Sequence, residues 1–332
     1  MRKRGSKALP RLRAAFIRTF QRAIKTGVLL LKRYKRSGYR VEYGRYGYYF
    51  AAPFVIGYLL FSLYPLAYTV AISFSDMRGF ASNSMNFVGF DNYYWSLIKN
   101  ASFLQTLKNT LVMWSVSYLF QFPLGIIVAS WFCNKRLNIR GQGFYKFMIY
   151  MPNIITVSAI AVMCYSLFCF PGGQANSLLK SIGLIDKDIQ YLTNFRFVRG
   201  LISYIDFWRF WGYGMLVTLA AMLGVNPELY EAADIDGANR WQSFWRITLP
   251  SIKNVMIFLV VSGISGGLQM YDTPKLLGTS KYTKTMTVLI YEQAFSGDYK
   301  YNVAAAMSML VFLLAVIINL AVLNLRREKE GR

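Results

Sequence analysis

Histidine is absent from the 332 residues of this chain, and cysteine occurs only three times. Without histidine the chain has no Ser-His-Asp triad, no Cys-His pair and no metal site that uses imidazole. The cysteines, Cys133, Cys164 and Cys169, form no Cys-x-x-Cys pair and are too few for a disulfide framework. We therefore expect no catalytic residue and no metal site here, and we disfavour a membrane-bound enzyme.

Acidic residues are also scarce, because 15 Asp and Glu stand against 38 Lys and Arg, a formal net charge of +23 at pH 7. Charged residues make up 16% of the chain and hydrophobic residues 55%, whereas an average soluble domain carries roughly a quarter charged residues. A basic excess alone suggests nucleic acid or anionic lipid as a partner. The apolar excess favours a membrane protein that does not bind nucleic acid, with a nucleic-acid-binding membrane anchor as the alternative.

Six stretches of the sequence are long and apolar enough to cross a bilayer. A hydrocarbon core about 30 Å thick needs roughly 20 mostly apolar residues as a helix, and backbone polar groups must be satisfied within each segment. Two stretches qualify only if Asp206 and Arg209 lie inside the fourth and Asp272 caps the fifth. The sequence predicts an all-α integral membrane protein with six transmembrane helices, at about 50–74, 109–132, 145–170, 201–224, 253–272 and 302–325.

The basic residues predict the orientation of these spans. With the N-terminus inside, the inner segments hold 24 Lys and Arg residues and the outer loops hold 11. Because cytoplasmic loops carry an excess of Lys and Arg, we expect both termini in the cytoplasm. The predicted organisation is a basic N-terminal segment 1–49, a transmembrane domain 50–325 that includes a cytoplasmic loop 225–252, and a tail 326–332.

The basic N-terminal segment has a helical period of its own. Apolar residues from Leu9 to Leu31 recur at three- and four-residue steps, with basic residues between them. Such a helix would lie on the cytoplasmic leaflet and bind anionic membrane lipid. A solvated basic tail is the alternative.

The inner loop 225–252 differs from the rest of the chain because it holds four acids and two arginines. Acids in the first turn favour a short helix from Glu228 to Ala233, since they complement the helix dipole. Gly237 suits a helix end or a positive φ, and a second helix from Trp241 to Ile247 is expected to end before Pro250. A helical hairpin that only connects two spans is the simpler interpretation.

This loop resembles the EAA loop of the permeases of ABC importers, in the carbohydrate-type branch related to maltose and multiple-sugar transporters. The family pattern E-A-A-x-x-D-G-A, then F, then I-x-L-P, is matched by Glu231, Ala232, Ala233, Asp236, Gly237, Ala238, Phe244, Ile247, Leu249 and Pro250. The resemblance covers about residues 50–325. Three departures are a proline displaced to Pro227, Gly278-Thr279-Ser280 in place of a Gly-Gly-Pro after the fifth span, and Asn254 in place of a proline.

The resemblance implies an ABC importer permease fold in the bacterial cell membrane, and an ATPase on a separate subunit. This chain has no Gly-Lys pair and hence no P-loop, so ATP and Mg²⁺ are expected on the partner ATPase and no cofactor on this chain. The implied partners are a second homologous permease, two ATPase subunits and an extracellular solute-binding protein. The expected ATPase-coupling residues are Glu228, Glu231, Ala232, Ala233, Asp236, Gly237 and Ala238.

The implied solute is a sugar or oligosaccharide, with a polyol or a glycerophosphodiester-type solute as the alternative. Asp206, Phe210 and Tyr213 share one helix face at i, i+4 and i+7, and a carboxylate beside aromatic rings suits a sugar. Similar permeases also contact substrate from the fifth span, where Gln269 and Tyr271 are the candidates. The alternatives are an Asp206–Arg209 pair within the helix and plain packing of the other side chains. Gly263 and Gly267 favour close helix packing.

Overall fold

The computed structural model describes residues 44–79, 85–134, 137, 139–278, 280–297 and 299–330, with the backbone only for 44, 45 and 325–330. The expected N-terminal amphipathic helix lies outside these residues. The described residues divide into two units between Pro65 and Leu66. The prediction of an all-helical chain is confirmed, because the described residues form helices and one isolated antiparallel bridge between Ser75 and Phe87.

The helices before the inner loop are α1 (Gly44–Tyr58), α2 (Tyr64–Ser73), α3 (Asp91–Tyr94), α4 (Ala101–Cys133), α5 (Gln142–Ile154), α6 (Val157–Phe168), α7 (Gln174–Ser181) and α8 (Phe195–Leu223). Those within and after it are α9 (Glu228–Ile235), α10 (Arg240–Ser243), α11 (Leu249–Ser251), α12 (Lys253–Leu268), α13 (Asp272–Leu277), α14 (Met286–Phe295) and α15 (Tyr301–Glu330). Three π-helical turns cover Leu59–Leu63, Trp95–Lys99 and Phe244–Thr248.

Four helical stretches of the described chain are long and apolar enough to cross a membrane. They are Tyr46–Ser73, Ala101–Cys133, Lys253–Leu277 and Tyr301–Asn324. They correspond to the first, second, fifth and sixth predicted spans. Helix α8 corresponds to the fourth, and its 29 residues are long enough to cross, but four charged side chains lower its apolarity, at Arg196, Arg199, Asp206 and Arg209.

The third predicted span is not one continuous helix over 145–170. Helices α5 and α6 are bent by 88° at a short break, which makes them either a broken span or a re-entrant loop. Ile155 and Thr156 are extended, with ψ of 133° and 141°. Pro152 lies in the last turn of α5, where a proline removes a backbone donor and crowds the preceding turn. A helix that ends soon after it is the expected consequence.

The fifth predicted span is also interrupted, and Asp272 does not cap its end. Helix α12 stops at Leu268, and Asp272 is the first residue of the separate helix α13. The amides of Gln269 and Met270 bond to carbonyls only three residues back, so the helix tightens and ends there. The Thr285 hydroxyl donates to the Met270 carbonyl at 2.7 Å and holds the break.

Helix α8 packs in the centre of the second unit, against α4 on one side and α5 on the other. Two glycines allow the closest backbone approaches. A Cβ at Gly212 would overlap the backbone carbonyl of Ile149, and a Cβ at Gly125 would stand 3.2 Å from the Met215 nitrogen. Because glycine has no side chain, α4, α5 and α8 approach closely at these two positions. A cavity lies on another part of α8, between this helix and α12.

A buried polar cluster ties the loop before α14 to α4 and α8. The Asn109 amide nitrogen donates to the carbonyls of Lys281 and Lys284, each at 3.0 Å. Its amide oxygen accepts from the Arg199 guanidinium and from Gln105. Asn109 is fully buried, and all of its hydrogen-bonding groups are used, so this amide fixes the position of the loop.

Candidate functional site

A cavity of about 460 Å³ lies among α4, α8, α12 and the break after α12. All five residues that the sequence suggested for the substrate pathway line it: Asp206, Phe210, Tyr213, Gln269 and Tyr271. They come from α8 and from the break after α12, two segments that are distant in sequence, so the fold brings them together around one space. That they contact a solute stays a prediction.

The charged pair on α8 is not an ion pair. Asp206 and Arg209 both line the cavity, but the guanidinium lies over the Phe210 ring, with its central carbon 4.9 Å from the ring centroid. The Nε atom of Arg209 is buried without a hydrogen-bond partner. Arg209 and Asp206 still attract each other electrostatically, so a pair within the helix stays an alternative to contact with a ligand.

An aromatic ladder on α4 forms the opposite wall, and sequence reasoning missed it. Trp114 and Tyr118 stack with centroids 5.4 Å apart, and Tyr118 and Phe122 with centroids 5.6 Å apart. All three residues line the cavity. Their spacing of four residues is the signal that could have found them, but such a stripe in an apolar helix is also typical of ordinary packing.

Gly263 and Gly267 make room for this ladder. A Cβ at Gly267 would overlap the Trp114 ring, and a Cβ at Gly263 would overlap the Tyr118 ring. The two glycines were expected to permit close helix packing. They do so by letting the rings of α4 lie directly against the backbone of α12. The two glycines also line the cavity.

Four buried polar atoms of cavity residues have no hydrogen-bond partner: Trp114 Nε1, Tyr118 OH, Arg209 Nε and Thr218 Oγ1. An unsatisfied buried polar group costs roughly 1–3 kcal/mol, and native proteins keep few of them. Their concentration around one cavity indicates a site that completes its hydrogen bonds with water or a polar ligand. Asp206, Asp272, Gln121, Asn153 and Gln269 add further polar groups to the lining.

The break after α12 connects the cavity to a cluster of rings and charges. The Tyr271 and Tyr291 rings lie 5.3 Å apart, and the Lys275 ammonium lies 5.2 Å from the Tyr291 centroid. The Glu292 carboxylate forms two ion pairs, with Nζ of Lys284 at 2.7 Å and with Nζ of Lys275 at 3.7 Å. The Lys275–Glu292 ion pair joins α13 to α14, and the contact with Tyr291 connects Tyr271 to the same cluster.

The second candidate site is the loop between α8 and α12. The short helix expected from Glu228 is present as α9, and Gly237 has a φ of +74°, as the sequence predicted. Ala233 is buried and Ala238, half-buried, donates its amide to the Ala233 carbonyl. The remaining coupling candidates are exposed to solvent: Glu228, Glu231, Ala232, Asp236 and Gly237.

The second helix of this loop differs from the prediction. It begins at Arg240, where Asn239 and Gln242 form a capping box, and it does not end before Pro250. A π-helical turn over Phe244–Thr248 leads into α11, which contains Pro250 near its start. Proline is tolerated in the first turn of a helix because a backbone N–H at that position has no partner within the helix. Since a new helix begins after Thr248, Pro250 lies in its first turn and does not interrupt it.

The apolar helices, and a solute-sized cavity between them that is lined by both aromatic and polar side chains, are those of a multi-pass membrane protein. Residues 121–329 match the family described as "Binding-protein-dependent transport system inner membrane component", and the chain belongs to this family.

Relatives of established name cover nearly all of the chain. It is 29% identical over 300 residues to the lactose transport system permease protein LacF of Rhizobium radiobacter, covering 89% of this chain and 98% of LacF. It is 28% identical over 306 residues to the arabinooligosaccharides transport system permease protein AraP of Bacillus subtilis, covering 90% and 94%. The resemblance to carbohydrate-type ABC importer permeases is confirmed by these matches.

Solved structures support the same fold. The chain matches a crystal structure of a bacterial ABC transporter involved in the import of the acidic polysaccharide alginate, with a TM-score of 0.71 and 26% identity. The match covers 90% of this chain and 98% of that one. A structure of the alginate transporter in complex with a periplasmic protein bound to alginate pentasaccharide matches with a TM-score of 0.72. The ABC importer permease fold is therefore established for this chain.

Proposed function

We propose that this chain is a permease subunit of an ATP-driven importer, and that it passes a sugar or oligosaccharide through the cavity between α4, α8 and α12. The observation that carries this proposal is the concentration of unpartnered polar atoms and aromatic rings around one cavity. Sugars present hydroxyl groups to polar atoms and C–H faces to rings, so they meet both properties. The names of the relatives, for lactose and arabinooligosaccharides, support the same class of solute.

The proposed topology has six spans with both termini in the cytoplasm of a bacterial cell. Helix α8 is the fourth span despite its charges, since Asp206 and Arg209 face an internal cavity rather than lipid. Helices α5 and α6 together are the third. Because the number of spans is even, reporters at the two termini test the model directly, and a fusion that locates them on opposite sides of the membrane would contradict it.

The proposed partners are a second homologous permease, two ATPase subunits that bind ATP and Mg²⁺, and an extracellular solute-binding protein. The family description, which names binding-protein-dependent transport, supports the binding protein, and the match to an ABC transporter structure supports the ATPase subunits. The EAA loop is the proposed contact with the ATPase, through Glu228, Glu231 and the exposed part of α9. This chain itself hydrolyses nothing.

The charges of the cavity favour a neutral solute. Two carboxyl groups, of Asp206 and Asp272, face one guanidinium, of Arg209. A phosphate or uronate group is bound by clustered Arg and Lys donors, and this wall offers only one. We therefore rank a neutral saccharide above a glycerophosphodiester, and a neutral polyol is the second candidate.

The test is uptake by the complete transporter in proteoliposomes, with a panel of neutral oligosaccharides, alginate oligosaccharides, polyols and glycerophosphodiesters. The variants Gln269→Ala, Tyr213→Ala and Asp206→Asn are expected to lower the uptake of the transported solute. Tyr165→Ala is the matched control, because this exposed tyrosine on α6 is outside the cavity. Unchanged uptake in all three cavity variants would remove the site, and transport of the anionic solutes alone would overturn the preference for a neutral one.

A further inference from the structure

The loop between α8 and α12 has two parts of opposite charge. The acidic arm, residues 228–236, holds Glu228, Glu231, Asp234 and Asp236. The aromatic arm, residues 240–251, holds two arginines and two tryptophans and no acid. Gly237 separates the two arms at its positive φ. The two arms differ in charge and in apolar character, so a surface that attracts one of them repels the other. We therefore treat them as contacts for different partners.

The inner side of the aromatic arm packs against the ends of two membrane-crossing stretches, the C-terminal end of α4 and the N-terminal end of α12. Phe244 and Leu249 pack against a buried cluster that includes Phe132 and Ile252. Phe132 is in the last turn of α4, and Ile252 directly precedes α12. The arm is therefore packed across the ends of these helices.

The outer side of the same arm is apolar and unusually exposed. Trp241 is 69% exposed and Trp245 is 53% exposed. Their rings contact each other edge to face, with centroids 5.7 Å apart, and Trp245 also contacts Phe244 at 5.6 Å. The pair is thus held in place before any partner binds. Arg240 and Arg246 are exposed beside the rings.

A second element at the same buried cluster has the same composition. Ile139 and Ile149, at either side of the start of α5, pack on the cluster that holds Phe244. Between them Phe144 and Tyr145 are 65% and 50% exposed. The Lys146 ammonium lies 5.3 Å from the Phe132 ring. Exposed rings with nearby basic groups therefore lie on two separate elements, the aromatic arm and the start of α5, next to the end of α4 and the beginning of α12.

We propose that the aromatic arm, residues 240–251, lies in the headgroup region of the cytoplasmic leaflet and binds anionic phospholipid. Tryptophan is enriched at membrane interfaces because its ring is apolar and its N–H is polar. Arginines beside it are attracted to the negative surface of that leaflet. The acidic arm is repelled by the same surface and stays in water, where a protein partner reaches it. The lipid contact fixes the height of the loop above the bilayer, whichever solute is transported.

The test uses spin labels on the full chain in vesicles of phosphatidylcholine and phosphatidylglycerol, with Cys133, Cys164 and Cys169 replaced. One label is attached at Gln242→Cys, between the two tryptophans. The matched control is Ile235→Cys on the acidic arm, since Ile235 is 86% exposed. Collisions with a water-soluble nickel chelate and with oxygen, which partitions into lipid, report the depth of each label.

We expect nickel collisions at position 242 to be several-fold rarer than at position 235. They should rise toward the control value when Trp241 and Trp245 are both replaced by serine, and also when phosphatidylglycerol is omitted. Equal values at 242 and 235 in the anionic vesicles would overturn the proposal. So would protection at 242 that appears only after ATPase subunits are added, because the partner would then be protein. The measurement needs no transport, so its failure is distinct from failure of the proposed function.

Discussion

The hydroxyl oxygen of Tyr230 lies 2.9 Å from Oγ1 of Thr248, in a hydrogen bond between α9 and the π-helical turn that follows α10. Thr248 is buried, and the two residues are separated by Gly237 and the capping box. This bond joins the acidic arm to the segment that leads into α12, and α12 contributes residues to the cavity wall. We therefore predict that a displacement of α9 is passed to α12 through this side-chain contact as well as along the chain.

Tyr230→Phe tests this connection. The substitution keeps the ring and removes the hydroxyl, so we expect a loss of about 0.5–1.5 kcal/mol of stability. We also expect less solute transported per ATP hydrolysed, since α9 and α12 are less tightly joined. Uptake and ATP hydrolysis are measured together in proteoliposomes. Tyr165→Phe, at an exposed tyrosine on α6, is the control, and an unchanged ratio in Tyr230→Phe would show that the bond has no part in coupling.

Glu231→Lys tests the proposed ATPase contact. Glu231 is exposed in the first turn of α9, so the reversed charge should leave membrane insertion unchanged and lower stability by at most about 1 kcal/mol through the helix dipole. We expect loss of ATPase co-purification, or loss of solute-stimulated hydrolysis. Asp186→Lys reverses an equally exposed charge in the loop after α7 and should behave as the native protein. Coupled uptake at the native rate in Glu231→Lys would contradict the assignment of the loop.

Gly267→Ala tests the packing of the aromatic ladder. The added Cβ overlaps the Trp114 ring, and overpacking of this kind typically costs about 1–3 kcal/mol. The neighbouring Gly266→Ala is the matched control, because a Cβ there meets nothing within 4 Å, and alanine in a helix is favoured by roughly 0.5–1 kcal/mol. Thermal unfolding in detergent should therefore shift in opposite directions. A shift of equal sign in both variants would show that Trp114 does not fill this groove.

Asn109→Leu tests the buried polar cluster. It leaves the carbonyls of Lys281 and Lys284 without this donor, and the Arg199 guanidinium keeps only its bond to the Tyr282 carbonyl. Each unsatisfied group costs about 1–3 kcal/mol, so we expect a marked fall in thermal stability and faster proteolysis in the loop before α14. Gln105→Ala removes only one donor to Asn109 and should have a small effect. Equal effects would contradict the role assigned to the Asn109 amide nitrogen.

Much of the loop between α8 and α12 could be predicted from its sequence because its structure is local. The helix from Glu228 and the positive φ of Gly237 follow from charges, propensities and backbone freedom within a few residues. The end of the second helix was mispredicted at Pro250, because a π-helical turn shifts the hydrogen-bond register ahead of the proline. The pattern of hydrophobic residues in the sequence does not predict a π-helical turn.

The long apolar runs by themselves determined that this chain is a helical membrane protein, since a continuous apolar run of roughly 20 residues crosses hydrocarbon as a helix that satisfies its own backbone groups. The motif in its inner loop determined the family. Only the tertiary structure decided that Trp114, Tyr118 and Phe122 form a cavity wall with α8 and α12, and that Asn109 holds carbonyls 172 and 175 residues away. Periodicity assigns a residue to a helix face, but which helix that face meets depends on packing between segments distant in the chain.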